Sequence, residues 1–263
     1  MSELKRALSS ELLKLKHMSI LWITFAAFAL IPVMGGVIMF LIQNPGLIPK
    51  SSILSVKISM LSTPVNLDSY LSMFLSQGAG IAGIIIFGFI ASYLFGREYS
   101  DHTYRDLLSL PISRTKILNA KFVIYVGWCL GLAISDLVLG LAVSRILNMS
   151  VGEYHIIFKD IKIYFITILL TILLGTWIPF FALWAKGYLA PLGFLIMALM
   201  MAQFSPYLGW GQYFPWSIPG IYSGAAGEEL KKLLNVWSYL SLFFTCTLGY
   251  ILTISWWKHT DQP

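Results

Sequence analysis

Residues 69–96 read SYLSMFLSQGAGIAGIIIFGFIASYLFG, 28 consecutive positions without a charged side chain. A helix rises about 1.5 Å per residue, so roughly 20 apolar residues cross a ~30 Å hydrocarbon core. This stretch is long enough to cross. Working outward, comparable uncharged runs occupy 18–49, 163–185, 187–227 and 233–257, and the run 122–135 extends through Asp136 to Ser144. Pro206, Pro215 and Pro219 interrupt 187–227, dividing it into a helix and a segment that does not span. The expected fold class is an all-α membrane protein, one transmembrane domain over 1–263. Its six transmembrane helices fall near 18–42, 70–96, 122–144, 163–185, 188–205 and 236–257.

Composition points the same way. The chain is 57% hydrophobic and 11% charged, against about 25% charged in soluble domains. Its mean hydropathy is +0.77. A soluble enzyme, a nucleic-acid-binding module and a disordered tail are all poor fits. The net charge of +6 is spread as short clusters between apolar runs, the pattern of membrane topology rather than of phosphate recognition. With the N-terminus inside, Lys50, Lys57, Arg145, Lys159, Lys162, Lys231 and Lys232 fall outside, and the rest of the 18 Lys and Arg fall inside. Both termini are therefore expected in the cytoplasm. The first run extends from Met18 to Ile42, beyond the ~7–15 residues of a signal-peptide core, and is expected to be retained.

Three segments outside the spans have amphipathic character. Leu4, Leu8, Leu12 and Leu15 recur at helical spacing, with Lys5, Arg6, Lys14 and Lys16 largely elsewhere. This reads as a helix on the cytoplasmic membrane surface, its cations meeting anionic lipid, or as a solvated extension of the first span. In 223–237, Leu230, Leu233, Leu234 and Trp237 share a face and Glu228 and Glu229 precede Lys231 and Lys232, the order a helix dipole favours. Tyr207, Trp210, Tyr213, Phe214, Trp216 and Tyr222 come just before, as at headgroup depth. Residues 206–235 are expected to form an outer re-entrant or interfacial element, and 47–66 a surface loop with some helix.

Catalytic signatures are missing. Gly78-Ala79-Gly80-Ile81-Ala82-Gly83 fits G-x-G-x-x-G, but it lies inside the uncharged run, where a strand and a water-exposed turn are needed. Its small residues instead suit close helix packing, with Ala79, Gly83 and Gly88 on the packing side. No Walker A, H-E-x-x-H or G-x-S-x-G sequence is present. Cys129 and Cys246 sit in apolar runs without metal or disulfide spacing. Asn148-Met149-Ser150 is a formal glycosylation acceptor, relevant only in a secretory-pathway host. Asp136 is an acid near the middle of the third span, at an insertion cost of about 2.5–3.5 kcal/mol. It either faces a translocation path or makes a structural hydrogen bond to a neighbouring helix.

The densest charge lies at 97–121, REYSDHTYRDLLSLPISRTKILNAK, where eight positions are charged. Thr103 to Leu110 looks helical, Pro111 breaks the chain, and Ser113 can cap a helix leading into the third span. Such a knob between two spans can be gripped by a soluble partner, or be an ordinary charged loop. Here the chain resembles permeases of the ABC-2 type, the membrane subunits of ATP-binding-cassette exporters. They commonly carry an acid after the second span, then Gly-Thr, a Leu-Leu pair, Pro-x-Ser-Arg and a Lys leading into the third. The matching positions are Glu98, Thr103, Leu107, Leu108, Pro111, Ser113, Arg114 and Lys121, with His102 where Gly usually precedes the Thr. The opening Glu11 to Lys16 is similar to permeases of bacterial self-protection and peptide-antibiotic export systems.

The resemblance implies two six-span subunits, identical or related, around a path, with two separate ATPase subunits holding ATP and Mg2+ below. This chain itself would bind no cofactor, no metal and no nucleic acid. Leu107 and Leu108 would give apolar contact to the ATPase, while Glu98, Arg105, Asp106 and Arg114 orient the knob. An ion-driven secondary transporter would need more intramembrane ionisable groups or repeated broken helices. A membrane scaffold that recruits a partner through the same knob is the other alternative. The substrate would be hydrophobic or amphipathic: a peptide antibiotic, a lipid or a drug.

Overall fold

In the computed structural model, residues 3–16, 18–47, 64–101 and 113–259 are described, and among them the chain is helical with no strand. Five helices are long and apolar enough to cross a membrane. These are α2 (Ser19–Gln43), α3 (Leu67–Ser100), α4 (Arg114–Ile146), α5 (Tyr154–Trp184) and α9 (Val236–His259). Before them lies α1 (Glu3–Lys16), and between α5 and α9 come α6 (Leu189–Phe204), α7 (Ile218–Tyr222) and α8 (Glu228–Lys232). The expected span at 188–205 thus corresponds to α6, whose 16 residues reach only about 24 Å. Most of the expected loop at 47–66 lies outside the described residues.

The glycines of 69–96 act as seats for neighbouring elements. A Cβ on Gly88 would press into Leu195 of α6, and one on Gly83 would meet Thr171 of α5 at 3.3 Å. A Cβ on Gly80 would stand 3.1 Å from the Pro219 carbonyl oxygen, so α7 can lie on α3 only where the side chain is missing. Ala79 is fully buried. The glycine-rich hexapeptide is packing surface, and Ile218 and Ile221 of α7 are buried beside it.

Two spans depart from regular α-helix. In α3, Leu71–Ser76 is a π-helical turn. In α5, Pro179 has no N–H for the Gly175 carbonyl four residues back, and the helix tightens to 3-10 over Gly175–Trp177. The distorted stretch docks on α9: Trp177 Nε1 donates to the Thr245 carbonyl at 2.7 Å, and the Thr176 hydroxyl donates to that of Cys246 at 3.1 Å.

Two amphipathic expectations change in detail. Met18 has extended backbone (φ −95°, ψ 119°), so α1 is a separate helix rather than an extension of α2. It packs along α4 with Ala7, Glu11 and Leu15 buried, while Leu12 is exposed. The buried face therefore carries Glu11 together with Ala7 and Leu15, and of the leucine stripe Leu12 is left exposed. At 223–237 the helix stops after Lys232, and Asn235 caps α9 by accepting from the Ser238 N–H at 3.1 Å. Leu233 and Trp237 fall on either side of that break, both exposed, so the expected shared face does not form.

Candidate coupling site

Residues 97–121 leave the end of α3 and return at the start of α4. Thr103, Arg105, Asp106, Leu107, Leu108 and Pro111 lie outside the described residues. Ser113 is the residue before α4, with the extended backbone of a helix cap (φ −62°, ψ 137°), but its hydroxyl makes no capping bond. Ser113 and Arg114 are both exposed.

The base of the segment is a buried ion cluster. Glu98, at the end of α3, holds Lys14 of α1 at 2.9 Å and Lys121 of α4 at 3.2 Å, both through Oε1. Glu11 of α1 holds the same two lysines, Lys14 at 2.7 Å through Oε1 and Lys121 at 3.4 Å through Oε2. Glu11, Glu98 and Lys121 are each only 4% exposed. The Lys121 ammonium also donates to the Leu94 carbonyl at 2.9 Å. Two carboxylates and two ammoniums cancel, which is the condition for keeping charge out of water. Partial burial draws the Lys14 pKa down, but the carboxylates of Glu98 and Glu11 outweigh it and hold it above its ordinary value.

Three elements are therefore fastened at one point: α1, α3 and α4. Around it Arg97 of α3 pairs with Asp101 at 3.8 Å and lies over the Tyr93 ring. Tyr250 of α9 donates to Asn119 of α4 at 3.0 Å. Glu98 and Lys121, which the sequence motif singles out, are thus brought together, Glu98 being buried while Arg114 is exposed. Glu11 and Lys14 escaped notice as site residues, although the signal was present. Glu11 stands between Leu8 and Leu15 at helical spacing, and a carboxylate on a buried stripe calls for a partner.

Asp136 lies far from this cluster, 1% exposed and facing α5. The Tyr164 hydroxyl is 2.9 Å from its Oδ2 and 2.8 Å from the Ala133 carbonyl oxygen. Its Oδ1 has no hydrogen-bond partner among the described residues.

A sequence model of the ABC-2 family transporter proteins matches residues 7–203, from α1 through α6. The chain belongs to the ABC-2 transporter family. The family match makes it an integral membrane protein and a transporter permease rather than a catalytic enzyme. ABC-2 permeases work with ATPase subunits in ABC transporters. This permease is also similar to the bacitracin transport permease protein BCRB of Bacillus licheniformis, 28% identical over 181 residues, covering 69% of this chain and 86% of the relative.

Proposed function

We propose that this chain is the six-span membrane subunit of an ATP-driven exporter in the cell membrane of a bacterium. It pairs with a second permease chain, identical or related, over two separate ATPase subunits that carry ATP and Mg2+. The observation that supports this best is the cluster of Glu11, Lys14, Glu98 and Lys121 at the root of 97–121. Residues 102–112 depart from and return to the two helices that this cluster clamps. A tilt applied to that segment by an ATPase then reaches α1, α3 and α4 together.

In this reading Leu107 and Leu108 are the apolar anchors in the ATPase groove. Arg105, Asp106 and the exposed Arg114 orient the segment, and Thr103, Pro111 and Ser113 shape its turns. Glu98 acts from inside, as a positioning residue. The short α6 is the sixth span, both termini are cytoplasmic, and the whole chain is one transmembrane domain. The name of the Bacillus licheniformis relative favours an amphipathic peptide antibiotic among the substrate classes.

The test is to extract the tagged full-length chain from its own membrane in mild detergent and identify its companions by mass spectrometry. A P-loop ATPase is expected with the wild type and is lost on Leu107→Asp with Leu108→Asp, while the chain still inserts. Recovery of the chain alone, with transport indifferent to ATP depletion, overturns the reading.

A further inference from the structure

At the end of the bundle away from α1, α4 stops at Ile146 and the chain reverses at once. Asn148 takes a left-handed backbone (φ 48°), the Met149 N–H donates to the Ser144 carbonyl at 3.1 Å, and the Met149 side chain is buried. The Leu67 N–H donates to the Ser150 carbonyl at 3.0 Å and pins the reversal to the start of α3. A groove of about 430 Å3 remains between the end of α4, the reversal and the first turn of α5.

The floor and the rim differ in chemistry. Leu67, Leu141, Met149 and Ile157 make an apolar floor, and Arg145, Asn148 and Tyr154 bring polar groups to the lining. Tyr154 is 89% exposed and Arg145 is exposed beside it. Among the described residues Arg145 has no ion pair, and the Asn148 amide and Tyr154 hydroxyl have no side-chain hydrogen bond. The nearby acids Asp68 and Glu153 do not line the groove, and Asp68 lays its carboxylate against Gly152.

An apolar floor suits hydrocarbon. An uncompensated guanidinium beside an amide and a phenol suits an oxyanion, which Arg binds through two parallel N–H donors. The two chemistries meet at the end of helices long and apolar enough to cross a membrane, side by side as phosphate and acyl chains are in a phospholipid. We propose that this groove binds a phospholipid, with an acyl chain on Leu67, Leu141, Met149 and Ile157 and the phosphate on Arg145, Asn148 and Tyr154. The site depends on membrane embedding and stands whether or not an ATPase partner is found.

Native mass spectrometry of the full-length chain, released from micelles doped with dioleoylphosphatidylglycerol, reads the bound lipid directly. The wild type is expected to retain it. Arg145→Gln should weaken retention roughly tenfold, the size expected for losing a charge-assisted hydrogen bond. Val151→Trp, which fills the groove from an exposed lining position, should do the same with Arg145 intact. Lys162→Gln, an exposed cation of α5 outside the groove, should bind as the wild type does. An equal loss in Lys162→Gln overturns the proposal, because diffuse surface charge then explains the binding. Equal retention of dioleoylglycerol, which has no phosphate, overturns it as well. Displacement of the lipid by inorganic phosphate alone reassigns the groove to a free anion. Arg145 and Val151 are exposed, so neither substitution opens the core.

Discussion

Glu98 and Lys121 stand 3.2 Å apart, closing the two helices that bracket residues 102–112 at their root. Both are buried, and both are shared with α1 through Lys14 and Glu11. The segment that resembles an ATPase docking knob is therefore mounted on a clamp that includes the N-terminal helix.

Removing one charge of the clamp should be worse than removing two. Lys121→Met leaves Glu11 and Glu98 facing a single ammonium in a buried site, which costs about 3–5 kcal/mol for a broken buried pair. The double variant Lys121→Met with Glu98→Gln keeps Glu11 and Lys14 matched and should recover most of that loss. Thermal unfolding of the purified chain in detergent checks the order, and a double variant less stable than Lys121→Met contradicts it.

The pH dependence of the α1 attachment follows from Lys14. Its pKa is held above the ordinary 10.5 by Glu98 and Glu11. A raised folded-state pKa stabilises fully below the unfolded value and is lost as pH rises through the folded one. Protease cleavage of α1 should stay slow from pH 7 to 10 and accelerate above 10.5. In Lys14→Met that alkaline step should be absent, and its persistence would assign the step to another group.

Asp136→Asn keeps a carbonyl for the Tyr164 hydroxyl and removes the ionisable group. The expected result is unchanged thermal stability and unchanged transport. Tyr164→Phe should cost about 1–3 kcal/mol, because it leaves the buried Asp136 Oδ2 without its hydroxyl partner. Loss of transport in a stable Asp136→Asn chain would show that the carboxylate itself is used.

Two glycine substitutions in one helix should differ. At Gly80 the added Cβ meets the Ser223 hydroxyl at 2.9 Å and, where nothing can rotate away, the Pro219 carbonyl oxygen at 3.1 Å and Gly220 Cα at 3.3 Å. At Gly88 it meets the end of the Leu195 side chain, which can change rotamer. Gly80→Ala is expected to cost about 1–3 kcal/mol and Gly88→Ala less. Melting curves of the two variants, with protease access to residues 211–226 as a second readout, decide the order.

Much of this molecule was legible before any coordinates. The uncharged run 69–96 demanded a membrane helix, because nothing else can satisfy so many backbone groups without water. Glu98, Ser113, Arg114 and Lys121 stood out only through the resemblance to ABC-2 permeases, because their charges alone fit an ordinary loop equally well. Glu11 carried a signal too, an acid at helical spacing between Leu8 and Leu15, but its partners Lys14 and Lys121 could not be named from spacing. The misjudged face of 223–237 has a similar cause: Asn235 caps the next helix, and a local cap outweighs a weak periodic pattern.

Hydrophobic length and charge clustering are properties of the chain, and they alone determined that it is an all-helical membrane protein with a charged segment after the second apolar run. Only the tertiary structure decided which charges neutralise each other. Lys14 and Lys121 are 107 positions apart, and their meeting on one pair of carboxylates depends on how α1 packs along α4. Burial makes that pairing compulsory without specifying the partner, and the partner is set by the packing of α1 along α4.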